Sequence, residues 1–196
     1  MKTGLYFGSF NPVHIGHLAI ANYIYEYSDL DEIWFVISPH NPLKQKGSLL
    51  ADYHRLRLAE IAIGDDQRFR ISDIESKLPS PSYTIDTLTY LQEKYPGHRF
   101  ALIMGSDNLV TINKWKNADL LVSSCKIIVY PRKNQGKEPS PAVKTLLQTA
   151  DIEIVNAPEI EISGTFIRSS IREGKDLRHF LPPGVWQYIR DMHFYE

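Results

Sequence analysis

The stretch Gly4–Tyr27, GLYFGSFNPVHIGHLAIANYIYEY, opens as a buried strand, turns through a glycine-containing loop and closes as a helix. In its second half, HLAIANYIYEY, apolar residues recur at three- and four-residue spacing, the period of a helix with one buried face. Gly8 and Gly16 bracket the turn and permit close approach of a ligand to the backbone. Amides at the start of a helix, together with its positive dipole end, favour an anion there. His14 and His17 stand three residues apart at that point, so both rings can face one anion and donate to oxygens that gain charge as phosphorus is attacked. A lone histidine would be read as a satisfied polar residue; the combination points to a phosphate-sized site. Zinc finds little support, because HExxH is absent and no third ligand stands at a familiar spacing.

The alternation continues along the chain. Short apolar runs IWFVIS from Ile33, RFRISDI from Arg68, FALIMG from Phe100, KIIVY from Lys126 and IEIV from Ile152 are separated by ADYHRLRLAEIAI, TIDTLTYLQEKY and PAVKTLLQTA, which carry the helical period. Such a βαβα order predicts an α/β fold, a doubly wound and mostly parallel sheet with helices on both faces. Ligands are expected at the carboxyl ends of the strands, near the switch point. PRKNQGKEPSP, from Pro131 to Pro141, reads as a surface loop, and Gly174 as the cap of a helix beginning after Ser163. No domain boundary is visible, so residues 1–196 are expected to form a single domain.

Composition narrows the function. The 22 Lys and Arg nearly balance 23 Asp and Glu, giving a formal charge of −1, so no global field would hold a nucleic acid and phosphate must be bound locally. A single cysteine, Cys125, excludes an internal disulfide framework and fits a reducing compartment; the cytoplasm is expected. Neither a signal-peptide core nor a membrane-length apolar run is present, which predicts no membrane association. The absence of G-x-x-x-x-G-K-[ST], G-x-G-x-x-G and G-x-S-x-G argues against a P-loop kinase, a dinucleotide oxidoreductase and a serine hydrolase.

Further along, ISGTFIRSSIREG places Ser163 and Thr165 at a helix start and Arg168 one turn inside it. Alone this is an ordinary N-cap with a solvated arginine; paired with the histidine turn it becomes a second anion clamp. Trp115 offers an indole face on which a flat ring can stack. Thr84 and Asp107 are each readable as helix caps. His40, His54 and Arg55 lie in or near the second strand-to-helix connection, where phosphate contacts and helix-surface charges are not separable by sequence.

Taken together, GSFNPVHIGH and ISGTFIR resemble the paired signatures H-x-G-H and I-S-x-T-x-x-R of the nucleotidyltransferase superfamily. Within it the chain resembles the bacterial nicotinate-nucleotide adenylyltransferases from end to end, through SYTIDTL at 82–88, MGSDNLVTINKWKNADLL at 104–121 and LPPGVWQYI at 181–189. One departure is Asn11, which stands where these enzymes commonly carry aspartate. The resemblance implies a Rossmann-like domain that binds ATP, with Mg²⁺, between the signatures, and nicotinic acid mononucleotide as acceptor, giving deamido-NAD and pyrophosphate. It implies His14, His17 and Arg168 as the catalytic contacts to phosphate. Gly8, Ser9, Phe10, Gly16, Lys44, Gly105, Asp107, Ile162, Ser163 and Thr165 would surround ATP, with Asp107 near the ribose. Asn11, Thr84 and Trp115 would face the acceptor, and no protein metal site is implied. A homo-oligomer is compatible with all of this.

The chemistry asks little of the protein's nucleophiles. A phosphate acceptor is already anionic at neutral pH, so in-line attack on the α-phosphorus needs neither a general base nor a covalent intermediate. Charge neutralisation and orientation are the demands. His17 is expected at the α-phosphate, His14 at the triphosphate nearby, and Arg168 with Lys44 or Lys46 at the departing pyrophosphate. The alternatives are the same reaction on phosphopantetheine or nicotinamide mononucleotide, and a regulator that holds ATP without turnover.

Overall fold

A computed structural model describes residues 1–39, 49–132 and 139–196. In chain order it contains β1 (Lys2–Gly8), α1 (Ile15–Tyr27), β2 (Glu32–Ile37), α2 (Asp52–Ile63), β3 (Phe69–Ser72), α3 (Thr84–Lys94), β4 (Arg99–Gly105), α4 (Ser106–Leu109), α5 (Ala118–Ser124), β5 (Lys126–Tyr130), α6 (Pro141–Leu147), β6 (Ile152–Ile154), α7 (Gly164–Arg172) and α8 (Pro183–Asp191). Single 3₁₀ turns lie at Ile74–Lys77, Ile112–Lys114 and Arg178–Phe180.

The strands form one six-stranded sheet in the order β3-β2-β1-β4-β5-β6, and each described pairing is parallel. Parallel strands covered on both faces must be apolar on both faces, which is why β2 reads EIWFVI and is buried throughout. Successive residues alternate between two cores. Tyr6, Ile33, Phe35, Ile103, Ile128 and Tyr130 join Ile20 and Ile24 of α1, Leu58 of α2, Ile167 of α7 and Val185 of α8. Leu5, Trp34, Val36, Leu102, Met104 and Val129 join Leu88 and Leu91 of α3, Leu121 of α5 and Val143 of α6. The doubly wound α/β architecture expected from the sequence is the one observed.

Order reversal between β1 and β4 opens a crevice at their carboxyl ends, where Gly8 and Gly105 terminate the two central strands. Local chemistry fixes the helices that surround it. Ser163 caps α7 by accepting from the Phe166 amide, and Ser140 caps α6 from the Val143 amide with Pro141 at the first helical position. Gly174, at φ 73°, stops the chain after α7 as expected. Two readings are corrected. Tyr83, not Thr84, is the N-cap of α3, and Gly105, not Asp107, is that of α4. Trp115 lies on no continuous helix after β4, because α4 ends at Leu109 and a 3₁₀ turn intervenes. Part of the expected surface loop, residues 133–138, lies outside the described residues, as do His40, Lys44 and Lys46.

Candidate active site

β1 delivers the chain into a turn that ends at His14, the N-cap of α1. No acidic side chain occupies the first turn of α1, so no carboxylate of that turn offsets its dipole. The His14 and His17 rings stack with centroids 3.6 Å apart and planes 25° off parallel. Gly16 makes this stacking possible: a Cβ there would sit 3.1 Å from His14 Nδ1 and 3.2 Å from Ile160. The His14 amide donates to His17 Nδ1 at 3.2 Å, so that nitrogen carries no proton and the hydrogen of the ring sits on Nε2. Phe10, with φ 42°, folds its ring back over Gly8 and against His17, 5.0 Å between centroids.

His14 is 3% exposed and its Nδ1 is buried without a hydrogen-bond partner. Burial first, and the Arg132 charge second, pull its imidazole down from 6.5 to about 4, so it is neutral at pH 7. The unfolded chain therefore takes up a proton near 6.5 that the folded chain refuses until about 4. Stability present above 6.5 is lost as the pH falls through that window, by about 3 kcal/mol over its whole width. Urea midpoints collected from pH 7 to pH 4 are expected to fall less steeply for His14→Asn than for the natural chain. Equal slopes would remove the buried neutral imidazole from this account.

Around the pair lies an open cleft lined by Tyr6, His14, Gly16, His17, Ile20, Tyr130, Pro131, Arg132, Ile160 and Ile162. Ile162 begins the second signature, so both signatures meet in one cavity. α7 then approaches the first turn directly. Arg168 Nη1 donates to the Asn11 carbonyl at 2.7 Å, its Nη2 donates to Thr165 Oγ1 at 3.3 Å, and a Cβ on Gly164 would lie 2.9 Å from that same carbonyl. Ser163 is the N-cap of α7 and follows Ile162 of the cleft wall in sequence.

On the β4 side, Asp107 pairs with Arg132 at 3.6 Å, and its Oδ1 packs over Gly105 without a hydrogen-bond partner. Arg132 was hidden in what reads as a polar loop. Its position at the carboxyl end of β5 is the signal that could have found it. Tyr6 and Tyr130 bring their hydroxyls to 3.3 Å on the cleft wall, both pushed above the ordinary tyrosine range by burial.

Thr84 and Trp115 form a second neighbourhood. Lys116 joins it by pairing with Asp86 of α3 at 2.8 Å and sitting 4.8 Å over the Tyr83 ring. Trp115 is partly buried and packs against the second core. Glu75 ties this region to the cleft. Buried beneath the start of α3, it accepts from Thr87 at 3.0 Å; burial raises its carboxyl, and the Ser38, Thr87 and Ser82 hydroxyls act in the opposite sense. Ser38 in turn donates its amide to the Gly8 carbonyl at 2.9 Å.

Two further contacts were invisible in the sequence. Arg55, fully buried, donates to the carbonyls of Ser9, Ser38, Pro39 and Leu50 and to Asp52. Asn11 is 5% exposed, and its Oδ1 accepts from the Leu50 amide at 3.3 Å and the Tyr195 hydroxyl at 2.7 Å. Cys125 is half-buried, and burial pushes its thiol up to about 11, as inert packing requires. Among the described residues no three His, Cys, Asp or Glu side chains cluster as a metal site, and no helix is long and apolar enough to cross a membrane.

The profile of the Cytidylyltransferase-like family matches residues 5–170. A relative from Flavobacterium johnsoniae, named "Probable nicotinate-nucleotide adenylyltransferase", is 50% identical over 196 residues, the whole of both chains. One of the same name from Bacteroides thetaiotaomicron is 47% identical, covering 97% of this chain and 92% of its own. Among solved structures, the Plasmodium falciparum nicotinic acid mononucleotide adenylyltransferase complexed with NaAD superposes with a TM-score of 0.81 at 23% identity, covering 99% of this chain and 97% of its own, a likeness of fold. With both signatures in one cleft and relatives half identical along their full length, the chain belongs to the cytidylyltransferase-like nucleotidyltransferases and, within them, to the nicotinate-nucleotide adenylyltransferase family.

Proposed function

We propose that this enzyme transfers AMP from ATP to nicotinic acid mononucleotide in the cytoplasm, giving deamido-NAD and pyrophosphate, by one in-line displacement without a covalent intermediate. The observation that carries the reading is the stacked His14–His17 pair at the start of α1, in one cleft with Ile162 of the second signature. The substrate is ATP with its Mg²⁺, held by triphosphate oxygens, and the ion neutralises phosphate charge.

The acceptor's phosphate oxygen attacks the α-phosphorus, a P–O bond forms, and the bond to the β-phosphate oxygen breaks, its electron pair leaving with pyrophosphate. No proton has to move. His17 donates from Nε2 to the α-phosphate as it gains charge. His14, neutral, lines the same path, where an imidazolium beside Arg132 would be repelled. Arg168 takes up the departing pyrophosphate. Gly8, Ser9, Phe10 and Gly16 shape the turn beneath the nucleotide, and Gly105, Asp107, Ser163 and Thr165 flank it. Trp115 stacks on the pyridine ring, and the amides at the start of α3, at Thr84, receive the nicotinate carboxylate. Asn11 borders the acceptor through its backbone.

The test is pyrophosphate release with ATP and Mg²⁺ on three acceptors: nicotinic acid mononucleotide, nicotinamide mononucleotide and phosphopantetheine. Release mainly with the first is expected. Release confined to phosphopantetheine would overturn the acceptor, and ATP binding without release on any of them would make the protein a regulator. ATP chiral at the α-phosphorus by thio substitution checks the displacement, since a single step inverts and a covalent intermediate retains configuration.

A further inference from the structure

After α8 the chain does not drift into solvent. His193 and Tyr195 adopt left-handed backbone, φ 53° and 69°, which non-glycine residues hold only when surrounding contacts impose it. Those contacts are present. The Phe194 amide donates to the Ile189 carbonyl at 3.0 Å, and the Phe194 ring packs on His54 of α2, 4.5 Å between centroids. His54 is itself hydrogen-bonded to the Tyr188 hydroxyl at 3.0 Å. Glu196 reaches back to His193 at 3.0 Å and Arg190 at 3.5 Å.

What this strained turn delivers is one hydroxyl. Tyr195 donates to Asn11 Oδ1 at 2.7 Å, in the middle of the turn between β1 and α1, a separation of 184 residues. Burial raises the phenol, and the charges of Arg168 and Arg55 act on it in the opposite sense. The backbone carbonyl of the same Asn11 receives Arg168 Nη1 at 2.7 Å, and Gly164 packs against that carbonyl. Side chain and main chain of one residue thus join the closing segment to the arginine of the second signature.

We infer that Tyr195 is a positioning residue of the adenylyl transfer: through Asn11 it fixes where Arg168 presents its guanidinium. This rests on the function proposed above, in which Arg168 receives the departing pyrophosphate. Tyr195→Phe keeps the ring and removes only the donor, leaving Asn11 Oδ1 with the longer bond from the Leu50 amide.

The experiment is a double-mutant cycle. Tyr195→Phe in the natural chain is expected to lower kcat about tenfold, with KM for nicotinic acid mononucleotide within about twofold and Tm within about two degrees. In an Arg168→Ala background the same change is expected to cost less than about twofold, because the group it positions is gone. An unchanged kcat in the natural chain, or equal losses in both backgrounds, would overturn the positioning role. A purely structural role would lower Tm and leave the kcat of the folded fraction alone, which also counts against it. An inactive natural chain would instead overturn the function; the cycle is then read on the ATP dissociation constant by calorimetry, where coupling is again expected and additivity overturns the inference.

Discussion

His17→Ala is expected to reduce kcat on the order of 10²- to 10³-fold while the protein stays folded. The size follows from what the ring offers. His17 Nδ1 is committed to the His14 amide at 3.2 Å, which fixes the tautomer and leaves one N–H, on Nε2, with a defined direction. A donor held in place before charge develops gives more in the transition state than water, which must reorganise. The structural cost is smaller. Alanine suits the first turn of α1, and the losses include the bond from the His14 amide and the ring contacts with His14, Phe10 and Tyr6, on the order of 1–2 kcal/mol. Activity and stability therefore separate. Steady-state pyrophosphate release, paired with a urea midpoint, checks both, and a near-natural rate in the folded variant would remove His17 from the chemistry. His17→Asn is the informative companion. Its side-chain oxygen can take the His14 amide, restoring the turn, but its amide N–H does not reach as far as Nε2, so stability should recover more than rate.

How far the sequence carried this site depends on the reach of each contact. H-x-G-H and I-S-x-T-x-x-R are legible because each depends on spacing within one or two helical turns; Gly16 has a local reason, clearing the His14 ring, whereas Gly164 clears the distant Asn11 carbonyl. The central strands were legible because burial on both faces forces continuous apolar runs, and the edge strands β3 and β6 because their apolar residues alternate with polar ones. α5 was not read, and α4 only through its cap, since four residues make a single turn and display no period. Thr84 was misread as a cap because a hydroxyl before a helix looks the same at the cap and one residue inside it. Arg132, Glu75, Tyr195 and Arg55 escaped for another reason. Their partners are backbone carbonyls, or side chains brought in from distant segments, and neither leaves a pattern in the residues nearby.

Arg55→Met is expected to destabilise the fold by about 3–5 kcal/mol, the loss typical of breaking a buried, fully bonded charge by removing one side of it. Sequence places Arg55 on the helical face of ADYHRLRLAEIAI, where an arginine is ordinarily solvated. Instead it is 0% exposed, and its five N–H groups meet five acceptors: Leu50, Ser9, Ser38 and Pro39 carbonyls at 3.0, 2.7, 2.7 and 3.1 Å, and Asp52 at 2.6 Å. Methionine fills the volume of the stem and supplies no donor. Asp52 can return to water, being 40% exposed, but the Ser9 and Ser38 carbonyls lose the partner that joins them. Those carbonyls belong to the turn after β1 and the end of β2, so the site loosens along with the fold. Arg55→Lys should recover less than half of the loss, because three donors on one nitrogen cannot span acceptors spread around a planar fork. Denaturant midpoints at constant m decide it. A loss below about 1 kcal/mol for Arg55→Met would mean that water replaces the guanidinium at these carbonyls and that the clamp does not hold the turn carrying His14 and His17.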